Sequence, residues 1–371
     1  MTAALDVCIR GAGVVGRTLA LLLARERLRV GLVDHPPAAS VQGDVRAYAL
    51  NPASRELLEM LRAWPDADHV TPVVGMQVHG DEGGEVSFTA ADQSVAALAW
   101  IVDVAALQHR LSEALRFQPL VEWLESPRPA ALTVVCEGRA SATRAEFGVQ
   151  FEVISYPQRA IAARLTCEKP HGSIARQWFA NGEIAAFLPM GGSNASAQGN
   201  SVALVWSVSE ERADALLALD AAAFAREVEK STGGTSGALM LTSGRAAWPL
   251  QLARADRWCG PGWALAGDAA HTVHPLAGQG LNLGLADANS LASALREREY
   301  WRGVGDWKLL RRYERSRKAD VLAMGATTDG LQQLFARPGD TWSMLRNWGM
   351  KGFEHSGPVK QWVARQAMGR L

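Results

Sequence analysis

Cysteine is scarce. Cys8, Cys136, Cys167 and Cys259 are the only four in 371 residues, and no two form a CxxC pair. Such spacing argues against a disulfide framework or a cysteine zinc site and suits a reducing, cytoplasmic setting. Net charge is lacking as well, because 38 Lys and Arg balance 38 Asp and Glu. Without a basic excess or run there is no electrostatic case for a nucleic-acid partner. No stretch approaches the roughly 20 apolar residues that span a bilayer. Asp6 and Arg10 interrupt the first apolar run, so no signal peptide is read there. Internal repeats and low-complexity segments are absent too.

What is present is a chain long enough for two linked domains, 48% hydrophobic and 20% charged. Tryptophan is plentiful, with 13 residues. Trp342, Trp348 and Trp362 stand near the end among Arg346, Lys351, Lys360 and Arg365. That mixture marks either a membrane interface or partner surface, or ordinary helix packing.

The segment LDVCIRGAGVVGRTLALLLARERLRVGLVDH reads as strand, glycine turn, helix and strand. Leu5 to Arg10 is the first strand, and Val15, Leu19, Leu22 and Leu23 share one helix face. Arg29 to Val33 is the second strand, which makes a βαβ unit and implies a parallel sheet. Further along, 51–64 and 102–115 read as helices and 75–89 as a glycine-rich hairpin. FEVISY, RAIAARLTCE, IAAFLPM and SVALVWSVS read as antiparallel strands. One helix is expected over 214–230, and 309–335 is strongly helical. The fold class expected is α/β: a Rossmann-like nucleotide domain with an inserted antiparallel sheet and a C-terminal helical segment.

Gly11-x-Gly13-x-x-Gly16 lies between that first strand and helix. The first glycine permits a tight turn, the second lets backbone approach a pyrophosphate, and the third lets the helix pack closely on the sheet. Free N–H groups at the helix start suit phosphate charge. Asp34, at the end of the next strand, is placed to accept hydrogen bonds from ribose hydroxyls. This points to a dinucleotide, without separating FAD from NAD.

The segment GDAAHTVHPLAGQGLNLGLADA, over 267–288, makes the distinction. Gly267 turns the chain at the end of a short strand over 263–266, and Asp268 faces outward to meet ribityl hydroxyls. Pro275 stiffens the loop, while Gly278 and Gly280 allow backbone to approach a flat ring. A helix then starts near Leu281, and the N–H groups of Leu281 and Asn282 point at the ring. The positive helix end favours the negative charge of a reduced isoalloxazine. Leu285, Ala288, Ala292 and Leu295 form the buried face. His271 and His274 have HxxH spacing, but no third ligand is evident, so packing is preferred to a metal site.

GAGVVGRTLALLLA, DVRAYALNPASRELLEMLRAW, PHGSIARQWFANGEIAAFLPM, the 267–295 segment and LRRYERSRKADVLAMGATTDGLQQLF together resemble class A flavoprotein aromatic hydroxylases, most closely the ubiquinone-biosynthesis branch. The resemblance covers nearly the whole chain. It implies a para-hydroxybenzoate hydroxylase-like fold with FAD-binding pieces at 1–74, 100–146 and 246–300. A substrate-domain hairpin would lie at 75–99, an antiparallel substrate sheet at 147–245, and C-terminal helices at 301–371. It implies FAD as cofactor, NADPH or NADH as reductant, and oxygen transfer through a flavin hydroperoxide to a phenol or quinol ring, most simply a prenylated one. Gly11, Gly13, Gly16, Asp34 and Arg46 would hold the ADP half, Gly267 and Asp268 the ribityl chain, and Pro275, Gly278, Gly280, Leu281 and Asn282 the ring. No catalytic side chain is expected. Peripheral membrane contact, or contact with other biosynthetic subunits, would run through the C-terminal region.

Three features depart from the family pattern. Its Asp-Gly-x-x-Ser-x-x-Arg motif is EGRASATR here, so the cofactor-contacting carboxylate is Glu137, one methylene longer. Only residues 116–133 separate the helix from VVCEG, where the family fits several more strands. Arg10 stands where an apolar residue usually precedes the first glycine. Two alternatives stay open: a hydroxylase of a small soluble aromatic and, motivated by the trimmed segment and Glu137, a degenerate accessory subunit.

Overall fold

The alternation of Val7 and Ile9 with Cys8, and of Val30 and Leu32 with Gly31, builds the floor of the molecule. In the computed structural model, which describes residues 4–34, 45–80, 83–191, 199–273, 279–336 and 356, these residues lie on adjacent parallel strands. The chain opens with β1 (Leu5–Arg10), α1 (Val14–Arg25) and β2 (Val30–Val33). Leu19, Leu21 and Leu23 of α1 are buried in the main hydrophobic core. Each such side chain contributes about 1.5–3 kcal/mol of transfer free energy.

Next come β3 (Ala47–Leu50), α2 (Pro52–Met60), β4 (Val70–Val73), β5 (Gly75–His79), β6 (Glu85–Thr89), β7 (Ala99–Asp103), α3 (Val104–Arg116), β8 (Val121–Leu124), β9 (Ala130–Val135) and the short α4 (Thr143–Glu146). The middle of the chain gives β10 (Phe151–Cys167), β11 (Ile174–Ala180), β12 (Glu183–Met190), β13 (Ser201–Ser209), α5 (Glu210–Ala218), α6 (Ala221–Ser231), β14 (Leu239–Leu241) and β15 (Ala246–Ala255). The chain then returns through β16 (Cys259–Gly260), β17 (Trp263–Leu265), β18 (His271–Thr272), α7 (Gly280–Arg296) and α8 (Trp307–Ala336).

The first sheet runs β16-β17-β9-β1-β2-β8 and is parallel except where β16 pairs with β17. The second runs β18-β15-β10-β13-β12-β11-β5-β6, with β14 pairing β10. A small antiparallel sheet, β3-β7-β4, completes the set. In the large sheet Ile161, Phe187, Leu204 and Trp206 join one buried cluster with Leu216, Phe224 and Val228 from α5 and α6. On the opposite face Leu188 and Met190 pack with Val73 and Ile101 of the small sheet.

Several expectations shift. The single helix expected over 214–230 is two, α5 and α6, because Asp220 accepts a 2.7 Å hydrogen bond from the Ala223 N–H and starts a new helix. The helix expected over 51–64 ends at Met60, where Arg62 takes a left-handed conformation, φ 56°. The helix expected from Val102 begins at Val104, capped by Asp103. FEVISY and RAIAARLTCE form one strand, β10, whose register slips between Ser155 and Arg159 around Pro157. The trimmed segment 116–133 contains an unforeseen strand, β8, on the edge beside β2.

Candidate functional site

The glycine turn sits where β1 meets α1. Gly11 has φ +108°, and a Cβ there would lie 2.5 Å from the Cys136 carbonyl oxygen. A Cβ on Gly16 would lie 2.0 Å from the Gly11 oxygen, so helix and turn touch backbone to backbone. Gly13 differs, since its φ is −72° and nothing lies within 4 Å of the Cβ position. Neither backbone conformation nor internal packing requires glycine at 13; what the missing side chain leaves is open space. No side chain caps α1, whose first N–H groups therefore have no partner within the helix. Asp34 follows β2 and is half-buried.

The second helix start lies beside the first. Val15, in the first turn of α1, is 3.3 Å from the Cβ position of Gly267 and 2.7 Å from that of Gly284 in α7. Only glycine lets α7 and the Gly267 turn close on Val15. At the N-terminus of α7 no atom of the described residues lies within 4 Å of the Gly280 Cβ position, and no side chain among them caps this helix. Leu281 is half-buried against the main core. The Asn282 side chain is fully engaged: its Oδ1 accepts from the Asn51 N–H (3.0 Å) and Ser54 Oγ (2.8 Å), and its Nδ2 donates to the Ala49 oxygen (2.8 Å). It latches α7 to β3 and α2, leaving only its backbone N–H for a ring. Pro275 and Gly278, with His274, lie outside the described residues.

Between the two helix starts stands Asp268. Gly267 takes φ +63°, and the Asp268 side chain is exposed to solvent. Desolvation by the surrounding protein raises its carboxyl pKa above the ordinary value, against the pull of His271, Arg139 and Arg46. Arg46 thus lies within electrostatic reach of Asp268, and so does Arg139, which sequence reasoning had not singled out.

Glu137 follows β9, beside the glycine turn. Its Oε1 accepts from Thr143 Oγ1 (2.6 Å), and its Oε2 from Ser141 Oγ (2.7 Å) and the Thr143 N–H (3.3 Å). Burial alone would raise its pKa, but these donors and the Arg10 charge hold it below the usual carboxylate range. Arg10 Nη1 also donates to Glu146 Oε2 at 2.9 Å. Arg144 donates to the Ala269 and Arg139 carbonyls, at 3.1 and 2.9 Å, and so ties this loop to the one carrying Asp268.

Beneath the Asp268 turn is a buried ionic group. His271 stacks on Trp258, with ring centroids 4.8 Å apart, and its Nε2 is 2.6 Å from Asp287 Oδ2. Arg317 of α8 donates to Asp287 Oδ1 at 2.8 Å, and Tyr313 donates to the Leu265 oxygen at 2.8 Å. The sequence signal was available: Asp287 interrupts the apolar face of α7, and Tyr313 and Arg317 are one helical turn apart. Among the described residues no group of three or more His, Cys, Asp or Glu could hold a metal.

Residues 129–327 match the FAD binding domain family. The chain is 30% identical to 3-demethoxyubiquinol 3-hydroxylase of Escherichia coli K12, covering 98% of each chain. It is 31% identical to ubiquinone hydroxylase UbiL of Rhodospirillum rubrum, covering 99% of this chain and 90% of that one. The crystal structure of p-nitrophenol 4-monooxygenase PnpA from Pseudomonas putida DLL-E4 superposes with a TM-score of 0.77 at 17% identity, covering both chains fully, which establishes a shared fold. The chain belongs to the FAD binding domain family, in the class A hydroxylase branch that contains the ubiquinone-biosynthesis enzymes.

Proposed function

We propose that this chain is an FAD-dependent monooxygenase that hydroxylates an electron-rich ring, a prenylated phenol or quinol of ubiquinone biosynthesis. The observation that carries the reading is the pair of uncapped helix starts side by side. Each has a glycine, Gly13 and Gly280, with nothing among the described residues within 4 Å of its Cβ position, and the exposed carboxylate of Asp268 stands between them. That donor set fits FAD: amide N–H groups for a pyrophosphate at α1, an acceptor for ribityl hydroxyls at Asp268, and a positive helix end for the ring at α7.

Gly11, Gly13, Gly16, Asp34 and Arg46 would bind the ADP half. Gly267 and Asp268 would bind the ribityl chain. Gly280, Leu281 and the Asn282 backbone would meet the ring, with Pro275 and Gly278 completing that loop. Glu137 would act by holding the Arg144 loop against the cofactor rather than by direct contact. FAD, when bound, would take electrons from NADH or NADPH and supply the oxygen chemistry, so the protein's part is to orient the ring and exclude water. The face of the large sheet turned away from α5 and α6 carries Ala160, Ala162, Ala186, Val205, Ser207 and Trp248, a mostly apolar stretch that suits an aromatic substrate, with Arg164 on the same face paired to Asp103.

The test is the visible absorbance of the purified protein before and after anaerobic NADH or NADPH, followed by product analysis with a prenylated phenol. A flavin spectrum that bleaches, with one oxygen atom added to the substrate, is expected. No flavin even after FAD is added would favour the accessory-subunit reading, which the engagement of both Glu137 oxygens within their own loop supports. Preference for tail-free phenols would favour a hydroxylase of small aromatics. Membrane or subunit contact through the C-terminal region is part of the proposal. A chain truncated after about Gly339 that keeps full activity on the prenylated substrate would remove it. No helix among the described residues is long and apolar enough to cross a membrane.

A further inference from the structure

Asp287 is fully buried in α7, yet three donors converge on its carboxylate. Oδ2 accepts from the Gly267 N–H (2.9 Å) and lies 2.6 Å from His271 Nε2, while Oδ1 accepts from Arg317 Nε (2.8 Å). Gly267 immediately precedes Asp268, and His271 lies three residues beyond it. The two partners of Oδ2 therefore bracket the turn that presents Asp268 to the cleft. Arg317 is nearly buried itself, and it is held by Asp320 and directed at the Leu283 oxygen.

Burial would raise the Asp287 pKa, but His271 and Arg317 outweigh it and hold the group ionised, below the ordinary carboxyl range. A buried ion pair is often no more stabilising than apolar side chains of the same volume. Stability alone is therefore a weak reason for this arrangement; what a carboxylate adds is direction. Its acceptors fix where the Gly267 N–H and the His271 ring must lie.

We propose that Asp287 is a positioning residue for the cofactor site. It clamps both ends of the Gly267–His271 turn and so aims Asp268, while Arg317 makes that aim depend on the docking of α8. The proposal rests on the reading of Asp268 as the ribityl ligand.

The experiment uses the full chain and the variants Asp287→Asn, Asp268→Asn and the double variant. FAD affinity is measured by titrating apo-protein, the environment of the bound flavin by visible circular dichroism, and folding by far-ultraviolet dichroism and melting of the apo-protein. Asp287→Asn is expected to keep the fold, to weaken FAD binding by roughly tenfold to a hundredfold, and to change the visible dichroism of the flavin that still binds. Because Asp287 acts through Asp268, Asp287→Asn should add little further loss when Asp268 is already Asn. Arg317→Lys should retain more affinity than Arg317→Gln.

A lowered melting temperature with unchanged FAD affinity and unchanged flavin dichroism would overturn the proposal, since a merely structural role predicts that pattern. So would fully additive losses in the double variant. If Asp287→Asn does not fold, His271→Asn and Arg317→Lys decide by the same readouts, with smaller losses in the same direction expected and unchanged affinity overturning the idea. Full FAD affinity in Asp268→Asn would instead refute the underlying reading of Asp268. Loss there without loss in Asp287→Asn would refute the positioning role alone.

Discussion

Arg10 Nε lies 3.4 Å from Glu137 Oε1, across the ends of adjacent strands β1 and β9. Each residue departs from the family pattern on its own, and the two departures meet in one ion pair. Replacing Arg10 by Leu should cost about 1 kcal/mol of stability, because the pair is only partly screened from solvent. The same replacement on an Glu137→Asp background should cost less, since the shortened side chain draws back from Arg10. Denaturant unfolding of the two single variants and the double variant measures that coupling.

Asp268 is exposed, yet its pKa is raised. Its raised pKa means the folded protein disfavours the ionised form, so at neutral pH its charge works against folding. Asp268→Asn should therefore raise the melting temperature of the apo-protein while weakening FAD binding. A melting temperature that falls, measured without FAD, would contradict this.

Glu137 has the opposite sign. Its folded pKa is below the unfolded one, so its contribution is present above the ordinary carboxyl range and lost as pH falls through the lowered value. Glu137→Gln should be less stable than the parent at pH 7, and the gap should narrow as pH falls below the ordinary carboxyl range and through the lowered folded value. Parallel melting curves across that range check the convergence.

Gly13 and Gly16 separate ligand from fold. Gly16→Ala places a Cβ 2.0 Å from backbone oxygen and should destabilise the apo-protein by about 3 kcal/mol or more. Gly13→Ala meets nothing within 4 Å, so apo stability should stay within about 0.5 kcal/mol of the parent. FAD affinity should nonetheless fall, because the methyl occupies the space a pyrophosphate needs. Calorimetry of apo-protein alongside FAD titration tests both halves.

The glycine turn and the Gly267 turn were legible because glycine leaves a mark in sequence wherever a backbone must come close, and Gly11, Gly16 and Gly284 do so. The antiparallel strands were legible from their β-branched and aromatic runs. The pairing of Asp287 with Arg317 was not, since partners on different helices leave no spacing to read. Arg10 was visible as an anomaly, but its partners Glu137 and Glu146 emerge only when β9 and α4 are placed beside β1. The α5–α6 break was missed because periodicity runs through it, and Asp220 acts by capping rather than by interrupting an apolar stripe. Strand β8 was missed because its four residues, VEWL, are too short to show a period.

The return of β17 to pair Trp263 with Thr133 also constrains how the chain acquires its shape. Strands β11, β12 and β13 pair with neighbours in sequence and can form early, whereas β17 must wait for the whole intervening sheet. Contacts that close such long loops are made slowly. On a ribosome, Arg317 emerges later still, so the turn bearing Asp268 would be clamped only once α8 is made. A newly made molecule would pass through a stage with a finished antiparallel sheet and an open nucleotide cleft, and a ligand captured at that point would draw folding to completion.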